Sequence, residues 1–204
     1  MAINTAMPAP QADRIDKIAV VVDAVCAGAD TADAIAHTLG VVVRQGDYYA
    51  AAAAYLGLVE PVASSAPTTY VLTTDGAQYL ASDAFARAAQ LTELIGLVPA
   101  VQIFMAADLE AVQSFYEMSG LGATTAARRA QTILGWAEAA SSGAIDASEI
   151  EASTLAARAA APAIAAALAA ERAAAKKLAA GVTAVAFCQR CFLQLPVTAV
   201  CGNC

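Results

Sequence analysis

Four of the chain's five cysteines crowd into residues 188–204, CQRCFLQLPVTAVCGNC. Cys188 and Cys191 make one Cys-x-x-Cys pair, and Cys201 and Cys204 make a second. Each pair presents two thiolates from a tight turn, and the apolar insert reads as a hairpin that brings the pairs together in tetrahedral geometry. Gly202 gives the second knuckle a permissive backbone. Four thiols leave no position for water, so the chemistry is that of a closed structural site for one zinc ion. Two disulfides or an iron–sulfur site are the alternatives. Such a metal replaces a core that this segment is too small to build. Arg190 is the only basic residue here. Docking to a protein through Phe192, Leu193 and Leu195 therefore suits the ribbon at least as well as direct contact with nucleic acid.

Arginines next to hydroxyls suggest a second chemistry. In TTAARRAQTILGWAEAA, helical spacing puts Thr125, Arg128, Arg129 and Thr132 on one arc. Ala126, Ala130, Ile133, Leu134 and Ala137 fall on another arc, suited to burial. Adjacent arginines beside hydroxyls can hold phosphates or read guanine edges; the bland alternative is a solvated helix face. In RQGDYYAAAAAYLGLVE, Arg44 and Gln45 stand at a helix start and Tyr48 one turn on. Tyr49 and Leu56 read as core, and Tyr48 could instead pack on a wing. Catalysis finds no comparable pattern. His37, the single histidine, has no partner spacing that marks a ligand or base, and there is no glycine-rich phosphate loop. Asp146, Glu149 and Glu151 read as linker and helix-start charges. The carboxylates do not combine with a lysine in the strand-based arrangement of a metal-dependent nuclease.

The elements that must carry these residues follow from turn and cap signals. Ile15, Ile18, Val22 and Val25 form the stripe of a first helix, with Cys26 expected as a buried thiol at its end. Thr31 caps a second helix bearing Ile35 and Leu39, which Gly40 ends. A third helix runs from about Val43 to Leu56 and stops at Gly57. Leu58-Val59 and Tyr70-Val71-Leu72 then read as a hairpin, whose tip ASSAPTT has no Lys or Arg. Thr74 or Asp75 starts a short helix to Leu80, another spans Asp83 to Ile95, and Pro99 breaks the chain. From Asp108 the pattern recurs: an amphipathic helix with Leu109, Val112 and Phe115–Tyr116, a turn at Gly120 and Gly122, and a helix capped by Thr124 or Thr125.

The expected architecture is mainly α with small β-hairpins: tandem winged helix-turn-helix units, a long alanine-rich helix and a C-terminal zinc ribbon. The boundaries are a loose arm over 1–11, a winged helix-turn-helix over 12–82 and a second helix-turn-helix unit over 83–140. A linker over 141–147, an alanine-rich helical segment over 148–181 and the ribbon over 182–204 follow. Pro162 must kink the alanine-rich helix or start a new one. Its narrow stripe of Ile164, Leu168 and Leu178 should pack on the body or on a second copy, which makes a homodimer an expectation.

Composition restrains this reading. Across 204 residues the formal charge is −7, with 11 Lys and Arg, so DNA contact must come from a local cluster. No stretch qualifies as a membrane span, and MAINTAMPAPQADRIDK lacks the pattern of a signal peptide. The chain reads as cytoplasmic, where reduced thiolates favour metal over disulfides.

At RQGDYYAAAAAYLGLVE, then YVLTTDGAQYL, then TTAARRAQTILGWAEAA, the chain resembles the tandem winged-helix DNA-binding segments that accompany nuclease modules in certain bacterial restriction enzymes. The resemblance covers about residues 12–140, and the terminus is similar to a short bacterial zinc ribbon. It implies that helices beginning near Arg44 and Thr125 face double-stranded DNA. No nuclease module accompanies them in this chain, so cleavage is not implied. The first expectation is thus a non-enzymatic DNA-binding protein of bacterial or phage type, either a transcriptional regulator or a restriction-type recognition component. The second is a protein-interaction adaptor or inhibitor that uses the winged-helix and ribbon surfaces, which the acidic charge favours.

Overall fold

The computed structural model describes residues 10–62, 67–143 and 145–181. The arm over 1–9, the hairpin tip over 63–66 and the whole ribbon with Cys188, Cys191, Cys201 and Cys204 lie outside them. The described residues form nine helices and one two-stranded antiparallel hairpin.

The first half is built on α1 (Ile15–Cys26). Every residue from Ile18 to Val25 is buried, so this helix is enclosed on all sides and not along one stripe. Its last residue, Cys26, is exposed, which corrects the expected buried thiol. The helix ends there, and burial stops with Val25. Thr31 caps α2 (Ala32–Leu39), accepting from the Ala34 amide at 3.3 Å, and Gly40 ends it in left-handed backbone at φ 62°. The next helix, α3 (Val43–Tyr55), crosses α2 where Gly46 is buried; a Cβ there would collide with the Ala32 carbonyl oxygen. The hairpin follows, with β1 (Val59–Pro61) against β2 (Tyr70–Leu72) and Val59 opposite Leu72. Thr31 also bridges Thr69, and the Tyr70 amide donates to the Asp30 carbonyl at 2.7 Å, so the chain entering α2 lies along the hairpin edge.

The second half begins with α4 (Thr74–Ala81) and α5 (Ala84–Gly96), capped by the Thr73 and Asp83 side chains. Pro99 then starts α6 (Pro99–Phe104) at its first position, where the sequence suggested only a break; proline suits that place because its missing N–H is needed by no helical bond. Asp108 caps α7 (Leu109–Met118), and the buried seam is Val112 and Tyr116. Leu109 and Phe115 stay 44% and 45% exposed, contrary to the expected four-residue stripe. The cap of α8 (Ala123–Ser142) is Gly122, not Thr124 or Thr125. Ser141 and Ser142, expected in a linker, belong to α8, which Gly143 ends at φ 62°. No strand follows α8 among the described residues, so this half has no hairpin of its own. Pro162 sits inside one helix, α9 (Ala147–Gly181), instead of starting another. The side chains of Leu168 and Leu178 lie outside the described residues.

Both halves share one hydrophobic core. Trp136 is its largest fully buried side chain, and its indole N–H donates to the Ala12 carbonyl at 3.0 Å. Residues up to Ala165 make one compact unit, and those from Ala166 make a second.

Charge inside the first unit is paired. The Asp23 carboxylate, 4% exposed, meets Arg87 at 3.0 Å and Arg158 at 2.6 Å. Arg87 also donates to the Leu80 and Ser82 carbonyls and lies over the Tyr79 ring. Two turns earlier on α1, buried Asp16 accepts from Arg14 and from Ser153 of α9. The start of α9 is therefore joined to α1 by charge-assisted hydrogen bonds, with only Ile150, Thr154 and Ala157 buried beneath it.

Candidate nucleic-acid interface

The start of α3 presents four consecutive exposed residues: Val42, Val43, Arg44 and Gln45. Gly46 is the first buried residue of α3, where the helix meets α2. Arg44 Nε donates to the Tyr48 hydroxyl at 2.6 Å, and the guanidinium lies 5.6 Å from the Tyr48 ring centre. Spacing of one helical turn brings the two together. Tyr48 is half-buried, Tyr49 is core, and Tyr49 donates to Asp13 at 2.7 Å. Asp47, the one acid on α3, lies against the Tyr70 hydroxyl, and together with burial it raises that hydroxyl above its usual value.

On α8 the expected arc is only partly exposed. Arg128 is exposed and Thr125 half-buried. Arg129 is half-buried and turned toward Tyr116, whose hydroxyl it lowers against a larger rise from burial. Thr132 is 2% exposed and donates to the Arg128 carbonyl at 3.0 Å, which removes it as a contact residue. The correction has a simple cause: the buried face of α8 is wide, since Ala126, Ala130, Ile133, Trp136 and Ala137 are all enclosed. Thr132 borders that arc one turn before Trp136 and is enclosed with it, and a threonine can satisfy its hydroxyl within its own helix.

Helix starts separate α3 and α8, together with the six-residue α6, from the others. Side chains of Thr31, Thr73, Asp83 and Asp108 cap α2, α4, α5 and α7, while Asp16 and Glu149 stand in the first turns of α1 and α9. Neither α3 nor α8 has a capping side chain or a first-turn acid. Their first amides and the positive end of the helix dipole are left for an external anion. The countervailing feature is acid nearby: Glu110 and Glu117 are exposed on α7, and Gln113 donates to Glu117 at 2.8 Å.

Other chemistry is sparse among the described residues. No group of three or more His, Cys, Asp or Glu is placed to hold a metal, and the four cysteines expected to do so are not among them. His37 is exposed on α2. No helix among the described residues is long and apolar enough to cross a membrane. Sequence reasoning missed Val42 and Val43 at the α3 start, because apolar residues there look like core until their exposure is seen. It also missed Asp16, Asp23 and Arg87, for which composition gives no signal.

A family model described as Domain of unknown function (DUF7226) matches residues 17–140, from α1 through most of α8. No curated protein and no solved structure matches the chain.

Proposed function

The chain belongs to the DUF7226 family, and we propose that it is a non-enzymatic protein that binds double-stranded DNA through the starts of α3 and α8. Its role would be that of a transcriptional regulator or of the recognition component of a restriction-type system. The observation that carries this reading is that exposed Arg44 and Arg128 stand at helix starts with neither cap nor first-turn acid, a condition shared among the described helices only by the six-residue α6, which carries no charge. Recognition helices engage DNA with their N-terminal residues, and such starts favour phosphate. On this reading α1 to β2 is a winged helix-turn-helix. The α2–α3 crossing at Gly46 and the Thr31–Thr69 bridge beside the hairpin support it. The half from α5 to α8 repeats the helix pair without a wing. Contacts are assigned to Arg44, Gln45, Tyr48, Arg128 and, at the margin, Thr125 and Arg129. One zinc ion held by Cys188, Cys191, Cys201 and Cys204 rests on sequence spacing and would fold the terminus.

A protein-adaptor reading draws on the net charge of −7 and on exposed Ile103 and Met118, at 71% and 82%. Titrating full-length protein against random-sequence duplex DNA at rising salt separates the two. DNA binding predicts affinity that falls with salt, and a slope reduced by about 1 for Arg44→Ala and again for Arg128→Ala. Absence of binding at low salt rejects it in favour of the adaptor.

A further inference from the structure

Val42 and Val43 are 66% and 51% exposed at the N-cap and first position of α3. Valine at an N-cap forfeits the side-chain bond that Ser, Thr, Asp or Asn would make, as Thr31 does for α2. These methyl groups are neither core nor cap. They stand beside Arg44 and Gln45, which are exposed in the same turn. Whatever covers this surface must therefore present apolar groups alongside hydrogen-bond acceptors at spacings of a few ångströms. The DNA major groove does so at thymine, whose C5-methyl lies next to the O4 acceptor and near the purine N7 and O6 acceptors.

Building on the DNA reading, we propose that Val42 and Val43 read thymine methyl groups. The sites bound by α3 would then contain thymine next to the base or phosphate met by Arg44. With only 11 Lys and Arg in the chain, base-edge contacts of this kind must carry a larger share of affinity than in a basic DNA-binding protein.

The test starts by selecting duplexes from a random double-stranded pool with the full-length protein. Each thymine of a selected site is then replaced singly by deoxyuridine, which removes only the methyl. One or two positions should lose about fourfold in affinity, the value for one buried methyl. Val42→Ala and Val43→Ala should bind the thymine duplex more weakly and no longer distinguish it from the deoxyuridine duplex. Both side chains are exposed, so an unchanged melting temperature is expected and checks the fold. Deoxyuridine tolerated at every position, or discrimination kept by both variants, overturns the proposal while leaving DNA binding standing. Failure to recover any duplex overturns both.

Discussion

Replacing Gly46 with alanine adds one methyl where α3 meets α2. The new Cβ would overlap the Ala32 carbonyl oxygen and sit 2.7 Å from Ala36 Cβ and 2.9 Å from the Ala36 amide nitrogen. Carbon pairs prefer about 3.5–4.0 Å, so the deficit against Ala36 is roughly 1 Å. None of these atoms belongs to a flexible side chain, so the helices themselves must separate. Overpacking of this kind costs about 1–3 kcal/mol, and a carbonyl overlap puts it at the upper end. The glycine-to-alanine change returns up to about 1 kcal/mol of helix propensity. The net expectation is a loss of about 2 kcal/mol. Gly135 provides the control, because it is exposed in α8 and a Cβ there meets nothing within 4 Å. Gly135→Ala should gain up to about 1 kcal/mol. The two variants should therefore differ by about 3 kcal/mol, or roughly 6–12 °C in Tm at this chain size, with thermal melts followed by circular dichroism. A Gly46→Ala protein that melts at or above the wild-type temperature would refute the α2–α3 packing argument.

Asp23→Ala should cost about 3–5 kcal/mol in chemical denaturation, because it strands the 6%-exposed Arg87 in the interior. Arg158→Ala should cost about 1 kcal/mol, since Arg158 is 56% exposed and Arg87 still pairs Asp23; equal losses would contradict the assigned burial. Burial raises the hydroxyls of Tyr49, Tyr55, Tyr70, Tyr79 and Tyr116, with Asp13 adding to Tyr49. The neutral form is thus favoured in the folded state. The stability is fully present below about pH 10, the unfolded value, and is lost as pH rises beyond it. Absorbance from these five tyrosinates should appear together with the loss of helical signal, and their titration near pH 10 in a protein that stays folded would contradict this. Metal analysis of protein purified under reducing conditions should give one zinc per chain. Chelation should free four reactive thiols beyond Cys26, and metal-free protein with those four already reactive would reject the ribbon.

Local signals placed most of the helices. Thr31 with Gly40, and Asp83 and Asp108 at their helix starts, act as their types require, because capping needs only neighbours a few residues away. The hairpin was also legible, since Gly57 and the strand-forming run at Tyr70 are short-range features. Signals failed where two local rules compete. Pro99 can end one element or begin another, and Gly122 took the cap that Thr124 or Thr125 could have filled. At the candidate interface, Arg44 and Gln45 were found at a helix start because spacing alone puts them there. Thr132 was misplaced because the width of the buried face of α8 depends on everything packed against it.

The sequence by itself determined the caps at Thr31, Asp83 and Asp108, the stop at Gly40, the small hairpin, the arginine-bearing helix starts and the Cys-x-x-Cys pairs, all of which are set by residues close in the chain. Tertiary structure decided that α1 is enclosed on every side, that Trp136 closes a core common to both halves, and that Asp23 can be buried between Arg87 and Arg158. Those outcomes need partners tens of residues away, and the periodicity of one helix does not say how many neighbours will cover it or which charges they will bring.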